Sequence, residues 1–295
     1  VVCHDAGGAE IVSNYVESET QNNLIYCVKG PAIKIFKKNL KNFKNNNKIL
    51  NFSKIKKLII GTSIKSKHEI EYLKKAKKFN IQTVCFLDHW TNYKRKLTSN
   101  KKLILPNKFL VGDIHAKKLA KKIFPKTKIY LIDNPYFKKL AFKIRKIKKK
   151  IYNSRNILYL TEPLRSQAKY FYNDYRYYGY DEFSALENFL KYISIFKDKI
   201  PYSIRVRLHP SENKKKYNKI FKKYKNLKLR LSTQPDLLKD IISSNYLIGC
   251  ETTALVIGLI AKKKVFCSIP KGGKKSSLPY KKIMNISKLR RYLEI

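Results

Sequence analysis

The chain has 295 residues, 43% of them hydrophobic, and carries 66 basic against 20 acidic side chains for a formal net charge of +46. That length suffices for two domains that each bury a core, while five scattered cysteines without ligand spacing (Cys3, Cys27, Cys85, Cys250, Cys267) exclude a disulfide framework and a zinc module. Only ten of the basic residues are Arg and the lysines are dispersed, which argues against a specific nucleic-acid reader; the apolar runs, such as 254–261, are too short to span a bilayer.

Strand-like and helix-like segments alternate along the chain, the pattern of parallel α/β architecture. The first half predicts strands at 1–4, 24–28, 57–60, 82–87, 109–111 and 128–132, with helices at 9–18, 32–39, 68–79 and 114–124. A nearly continuous basic run at 138–150 predicts a linker or connecting helix. The second half restarts with a strand at 156–160, a tyrosine-rich loop at 170–180 and a helix at 182–196. Strands at 203–208, 227–231, 246–248 and 265–268 follow, with helices at 213–224, 235–242 and 252–262. The expected fold class is α/β, with two Rossmann-like doubly wound domains facing a central cleft. The expected boundaries are 1–137 for an acceptor-side domain, 138–154 for a basic linker and 155–295 for a nucleotide-sugar domain.

Four constellations carry chemistry-bearing residues to strand ends, where open α/β sheets bind ligands. The first, His4-Asp5-Ala6-Gly7-Gly8-Ala9-Glu10, runs a strand through paired glycines into a helix, so that backbone can approach a ligand. It lacks the third glycine of the dinucleotide fingerprint, and a plain strand-to-helix turn is the simpler alternative. The second, Leu87-Asp88-His89-Trp90-Thr91-Asn92-Tyr93, offers a carboxylate base beside aromatic faces suited to a sugar ring; the alternative is a packed Trp90 with Asp88 capping the turn. In the third, Glu162 ends the first strand of the second half, directly before Pro163, where it could act as a base or hold a ribose hydroxyl.

The fourth joins Arg207-Leu208-His209-Pro210-Ser211 to Gly249-Cys250-Glu251-Thr252-Thr253, each following a strand. His209 can donate a charge-assisted hydrogen bond to a phosphate oxygen, and the helix starting near Thr252 presents N-terminal amides that favour phosphate. Arg205 and Arg207 share a face with His209 if the strand is regular, and Thr252 and Thr253 can equally be N-caps. The expectation is that His209, Thr252 and Thr253 converge on one phosphate-sized hollow.

On the His209-Pro210 pair, the strand 157–160 leading into Thr161-Glu162-Pro163-Leu164, and the segment 249–253, the chain resembles bacterial glycosyltransferases of the two-Rossmann-domain GT-B architecture. The nearest in motif are the HP-motif sialyltransferases, the Kdo transferases and, more remotely, the CDP-glycerol glycerophosphotransferases. The resemblance implies that His209, Thr252 and Thr253 contact the phosphate of a CMP-sugar and that Glu162 is the general base. The acidic pair followed by glycine that marks the base in that group is absent, so Asp5 and Asp88 stay open as alternatives.

The catalytic candidates are therefore Glu162, Asp88, Asp5 and His209. The phosphate-binding candidates are Arg207, His209, Pro210, Ser211, Gly249, Glu251, Thr252 and Thr253, and the acceptor-binding candidates are His4, Gly7, Gly8, His89 and Trp90. No Asp-x-Asp metal motif occurs, so neither metal nor other cofactor is expected. The expected activity is transfer from a nucleotide-sugar donor, a CMP-sugar first, to a saccharide or lipid-linked acceptor during assembly of a cell-surface polysaccharide or glycolipid. Two other classes stay open: a sugar-nucleotide epimerase or hydrolase of the same double-Rossmann architecture, and a basic nucleic-acid-binding protein. The expected location is cytoplasmic, since no signal-peptide pattern precedes the first strand. The lysine surface would favour peripheral contact with anionic lipid at about 1 kcal/mol per nearby Lys.

Overall fold

The computed structural model describes residues 1–18, 23–46, 49–148, 156–195 and 203–292. They form two compact units, Val1–Lys139 and Leu140–Ile295.

In the first unit, β1 (Val2–Cys3), α1 (Ala6–Ser18), β2 (Cys27–Val28), α2 (Pro31–Asn39), β3 (Lys57–Ile60), α3 (His68–Lys78), β4 (Gln82–Leu87) and α4 (Tyr93–Lys96) come first. A hairpin of β5 (Thr98–Ser99) and β6 (Lys102–Leu103) follows, then β7 (Lys108–Val111), α5 (Ile114–Ile123) and β8 (Lys128–Leu131); α6 (Pro135–Lys148) runs across the boundary between Lys139 and Leu140. Six strands pair in parallel in the order β2-β1-β3-β4-β7-β8. The chain reverses its direction of winding between β1 and β3, and their carboxyl ends open the crevice of this sheet. The hairpin is absent from the sequence expectation. Its two-residue turn, Asn100-Lys101, has both residues at positive φ, the geometry that matches strand twist, but only the Asn signals it.

The second unit comprises β9 (Asn156–Leu160), α7 (Leu164–Tyr172), α8 (Glu182–Ser194), β10 (Ser203–Arg207), α9 (Asn218–Lys223), β11 (Leu229–Leu231) and α10 (Leu237–Ile242). It continues with β12 (Tyr246–Gly249), α11 (Thr253–Ile260), β13 (Lys264–Cys267), β14 (Ile283–Asn285) and a terminal 3-10 helix, Ile286–Tyr292. Its strands are again parallel, in the order β11-β10-β9-β12-β13-β14. β9 is therefore central, and the reversal falls between β9 and β12. Both sheets are Rossmann-like, as expected.

Strands covered on both faces explain the unbroken apolar runs: β12 is buried throughout, and in β4 every residue after Gln82 is buried. The core of the second unit gathers Tyr159, Phe189, Leu190, Val206, Tyr217, Ile248 and Phe266, and that of the first gathers Val12, Phe36, Ile59, Val84 and Phe86.

Three segments differ from expectation. α7 begins directly after Pro163 and buries Leu164 and Ala168, one helical turn apart, until Asn173 ends it in the left-handed conformation. Its tyrosines mask that period. α9 covers only part of 213–224, and β14 carries too few residues to be read as a strand. The basic run at 138–150 is the helix α6 through Lys148; 149–155, like 196, lie outside the described residues. Among the described residues no helix is long and apolar enough to cross a membrane.

Candidate functional site

Glu162 lies where the second sheet reverses. β9 delivers it to the carboxyl edge, and the turn between β12 and α11 presents successive amides to it. Its Oε1 accepts the amides of Cys250 at 3.2 Å and Glu251 at 2.7 Å. The residue is 9% exposed. Burial pushes its carboxyl up to about 7; the charge of Glu251 adds to the rise, and the amides of Glu251, Thr252 and Cys250 oppose it. Glu251 is also pushed up by burial, with its Oε1 accepting the Ser277 amide at 2.7 Å. A carboxyl poised near neutrality can accept and return a proton.

On the other side of β9, β10 carries His209. The His209 amide donates to Thr161 Oγ1 at 3.0 Å and to Glu212 Oε2 at 3.1 Å. Its Nδ1 takes the Ser211 amide at 3.2 Å and lies 2.8 Å from Ser211 Oγ, so the ring proton belongs on Nε2. Glu212 closes this turn: it accepts the Thr161 hydroxyl, the Tyr217 hydroxyl at 2.8 Å and the Lys216 ammonium at 2.7 Å, and Lys216 also pairs with Glu182. Burial alone would raise the Glu212 carboxyl, but the donors from Lys216, Thr161 and Tyr217 hold it below the usual range. Glu212 is absent from the sequence candidates; the signal for it is the three-residue step from His209, a turn that its amide closes onto the His209 carbonyl at 2.9 Å.

The remaining candidates of this unit are distributed as follows. Thr252 is the N-cap of α11, its hydroxyl accepting the Ala254 amide at 3.3 Å, and Thr253 is the first helical residue. His209 and Thr252 flank β9, and the β9 end itself, Thr161-Glu162, stands between them; Glu162 takes the amides of Cys250 and Glu251, just ahead of α11, while the Ala254 amide of the helix turns to the Thr252 hydroxyl. Arg207 turns to α10, where it donates to Asp240 Oδ2 at 3.0 Å and to the carbonyls of Gln234 and Pro235; Arg205 meets the same Asp240. Regular alternation thus puts both arginines on one face, but that face carries a buried acid, not a phosphate hollow. Gly249 ends β12 against the Leu160 carbonyl, 3.1 Å from where a Cβ would stand, and Pro210 and Ser211 are exposed.

The edge of the first sheet holds its own network. His4 Nδ1 lies 2.7 Å from Asp5 Oδ1, Asp5 Oδ2 accepts the Ile64 amide at 2.9 Å, and the Asp5 amide donates to Ser63 Oγ. Glu69, also missing from the sequence candidates, ties this loop down: its Oε1 accepts the His4 amide at 2.7 Å and the Ser63 hydroxyl at 2.5 Å. Nothing marks Glu69 in sequence beyond an acid in the first turn of a helix. Asp88 accepts Lys96 Nζ at 2.5 Å and the Thr62 hydroxyl at 2.6 Å. Burial would raise its carboxyl, but Lys96 and Thr62 outweigh that and hold it low, so Asp88 is a paired charge. Gly7 lies beneath it, and Gly8 lets α1 approach Thr62 closely.

His89 is held down to about 4 by burial and the Lys96 charge and is neutral near pH 7. Trp90 is packed, with Nε1 donating to Asp113 Oδ2 at 2.9 Å, while Asp113 Oδ1 caps α5. Among the described residues no group of three His, Cys, Asp or Glu is arranged to hold a metal ion.

No family model matches the chain, and no curated protein matches it. Among solved structures the chain is similar to the UDP-GlcNAc 2-epimerase from Methanocaldococcus jannaschii, at 14% identity and a TM-score of 0.62 over 100% of this chain and 91% of that one. It is also similar to the UDP-GlcNAc 2-epimerase from Neisseria meningitidis bound to UDP-GlcNAc, at 13% identity and a TM-score of 0.60 over 90% and 81%. The S. aureus MnaA-UDP co-structure matches at 11% identity and a TM-score of 0.59 over 94% and 80%. At such identities the likeness is one of fold. The GT-B-like fold implied by the resemblance is present, and the neighbours that share it are enzymes acting on nucleotide sugars.

Proposed function

We propose that the chain is an enzyme acting on a nucleotide-activated sugar, of the epimerase or hydrolase class, with Glu162 as its acid–base group. The observation that carries this reading is the Glu162 carboxyl, buried at the reversal of the second sheet, fixed by the amides of Cys250 and Glu251 and poised near 7. Inversion at C2 can proceed by loss of its proton as the C1–O bond to the nucleotide breaks, the C–H electron pair forming a C1–C2 double bond, and by return of a proton to the other face as C1–O re-forms. Hydrolysis requires a water to be deprotonated as the same bond breaks, and a carboxyl in that range serves either task at neutral pH. His209, with its proton on Nε2, donates to a phosphate oxygen of the nucleotide as charge develops on the leaving group. The fold likeness to epimerases whose names carry UDP-GlcNAc and UDP supports the class and makes a UDP-sugar the first substrate to try. In this reading no metal is required, and activity persists in chelator.

The test is turnover of UDP-GlcNAc without any acceptor, followed by proton NMR for a C2-inverted sugar or for released UDP. Glu162→Gln is expected to lower turnover at least about 100-fold while UDP still raises the melting temperature. Absence of both products from all of the UDP-, CDP-, GDP- and CMP-sugars would refute the class.

A second reading, a metal-independent glycosyltransferase, is favoured by the His209-Pro210-Ser211 turn, whose ring orientation suits the phosphate of a CMP-sugar as the HP-motif resemblance implies. It predicts no donor consumption until a saccharide or lipid-linked acceptor is added, and a selective thermal shift with CMP among CMP, CDP, UDP and GDP.

A further inference from the structure

Beside α7 and the start of α8 lies an open depression of about 630 Å³ whose walls are Arg165, Tyr175, Arg176, Tyr180, Asp181 and Ser184. None of these residues belongs to the acid–base machinery of Glu162 or His209. We infer that this depression is an anion-binding site, in which Arg165 and Arg176 take the phosphate or carboxylate of a charged sugar whose ring lies on Tyr175.

Composition gives the first reason. Lysine supplies nearly all the positive charge of this chain, and only ten residues are Arg, yet two of them line one depression. Guanidinium matches oxyanions through paired, planar donors in a way that ammonium does not.

Charge balance gives the second. Asp181 is the only acid in the wall, and it is committed: Oδ1 caps α8 through the Ser184 amide at 2.8 Å, and Oδ2 holds Arg165 Nε at 2.8 Å. That contact and the Phe183 ring, 5.3 Å from the guanidinium carbon, hold the half-exposed head of Arg165 in the wall. Arg176 has no ion-pair partner among the described residues. The wall thus carries two guanidiniums and one carboxylate, a net single positive charge.

The third reason is the aromatic surface. Tyr175 is 56% exposed, with Lys169 Nζ 5.2 Å from its ring centroid on one face and the other left for a sugar ring, whereas Tyr180 is buried and its hydroxyl has no hydrogen-bond partner among the described residues. Tyr180 packs against Cys250, so the depression adjoins the turn that holds Glu162.

Calorimetric titration with glucose 6-phosphate, glucuronate and glucose tests the inference, at about 0.15 M salt to screen the lysine surface. Saturable binding of at least one charged sugar and none of glucose is expected; the phosphate and acid arms show which oxyanion is preferred. Arg176→Ala should weaken that binding at least about tenfold, Arg176→Lys should restore it only in part, and Lys219→Ala and His209→Ala should leave it unchanged. Arg176 is exposed, so its variants keep the fold. No saturable binding, binding indifferent to Arg176, or binding lost in His209→Ala alone would overturn the inference. UDP-sugar turnover is read separately and bears only on the proposed activity.

Discussion

The carboxylate of Glu212 accepts the amide of His209 at 3.1 Å and, through the same oxygen, the hydroxyl of Thr161, so the turn after β10 is fastened to the end of β9. Glu212 therefore holds the backbone that carries the imidazole, while Ser211 meets the ring. Glu212→Gln keeps the shape but loses the charge that Lys216 and the two hydroxyls meet. It is expected to cost about 2 kcal/mol in urea denaturation and to lower kcat/KM on a nucleotide sugar about 10- to 100-fold, as a displaced ring would.

Glu162 couples stability to pH. Its carboxyl is raised in the fold to about 7 from 4.5, so the folded state holds a proton that the unfolded state releases across that interval. Its stabilising contribution is complete below pH 4.5 and is lost as pH rises through 7, on the order of 3 kcal/mol across the window. Chemical denaturation between pH 5 and pH 8 (roughly the range titrated) should show this slope in the native chain and a flatter one in Glu162→Gln. Activity that needs the ionised form rises over the same window.

Arg207→Ala separates structure from ligand binding. Arg207 pairs with Asp240, which is fully buried and shared with Arg205, so the change should cost about 2 to 3 kcal/mol. Nucleotide affinity should move by less than about twofold, a small fraction of 1.4 kcal/mol; a large loss of affinity with stability intact would return Arg207 to the phosphate site.

Gly7→Ala would place a Cβ 2.2 Å from Asp88 Oδ2, so the carboxylate must shift and its Oδ1 is pulled from Lys96 and Thr62. A loss of about 1 to 3 kcal/mol is expected. In the double variant with Asp88→Ala the two losses should be less than additive, because the clash disappears with the carboxylate.

Much of the fold is legible in sequence because parallel strands buried on both faces leave apolar runs at regular intervals, as in 82–87 and 246–249. The place of Glu162 is legible from the apolar run that precedes it and from Pro163, which pushes its backbone toward extended geometry just past the end of β9. Its partners are not. The amides of Cys250 and Glu251 come from 88 and 89 residues away, and only the order of the strands, with β12 beside β9, brings them in. Arg207 shows the complementary failure, because alternation identifies its face but not the acid on α10 that occupies it. Trp90 and Asp113 likewise meet only once β4 and β7 pair.

β9 is made first in its unit yet lies at the centre, and its neighbours β10 and β12 follow at growing distance along the chain. Closing such long loops slows folding, and each closure costs entropy before any contact returns it. During synthesis, then, a nascent chain can shape the His209 turn on β9 well before the ribosome delivers the segment that clasps Glu162. The clasp on Glu162 is thus completed late, and a chain that ends just before Cys250 carries four of the six strands of this sheet, β9 to β12, without the two amides that fix the carboxyl.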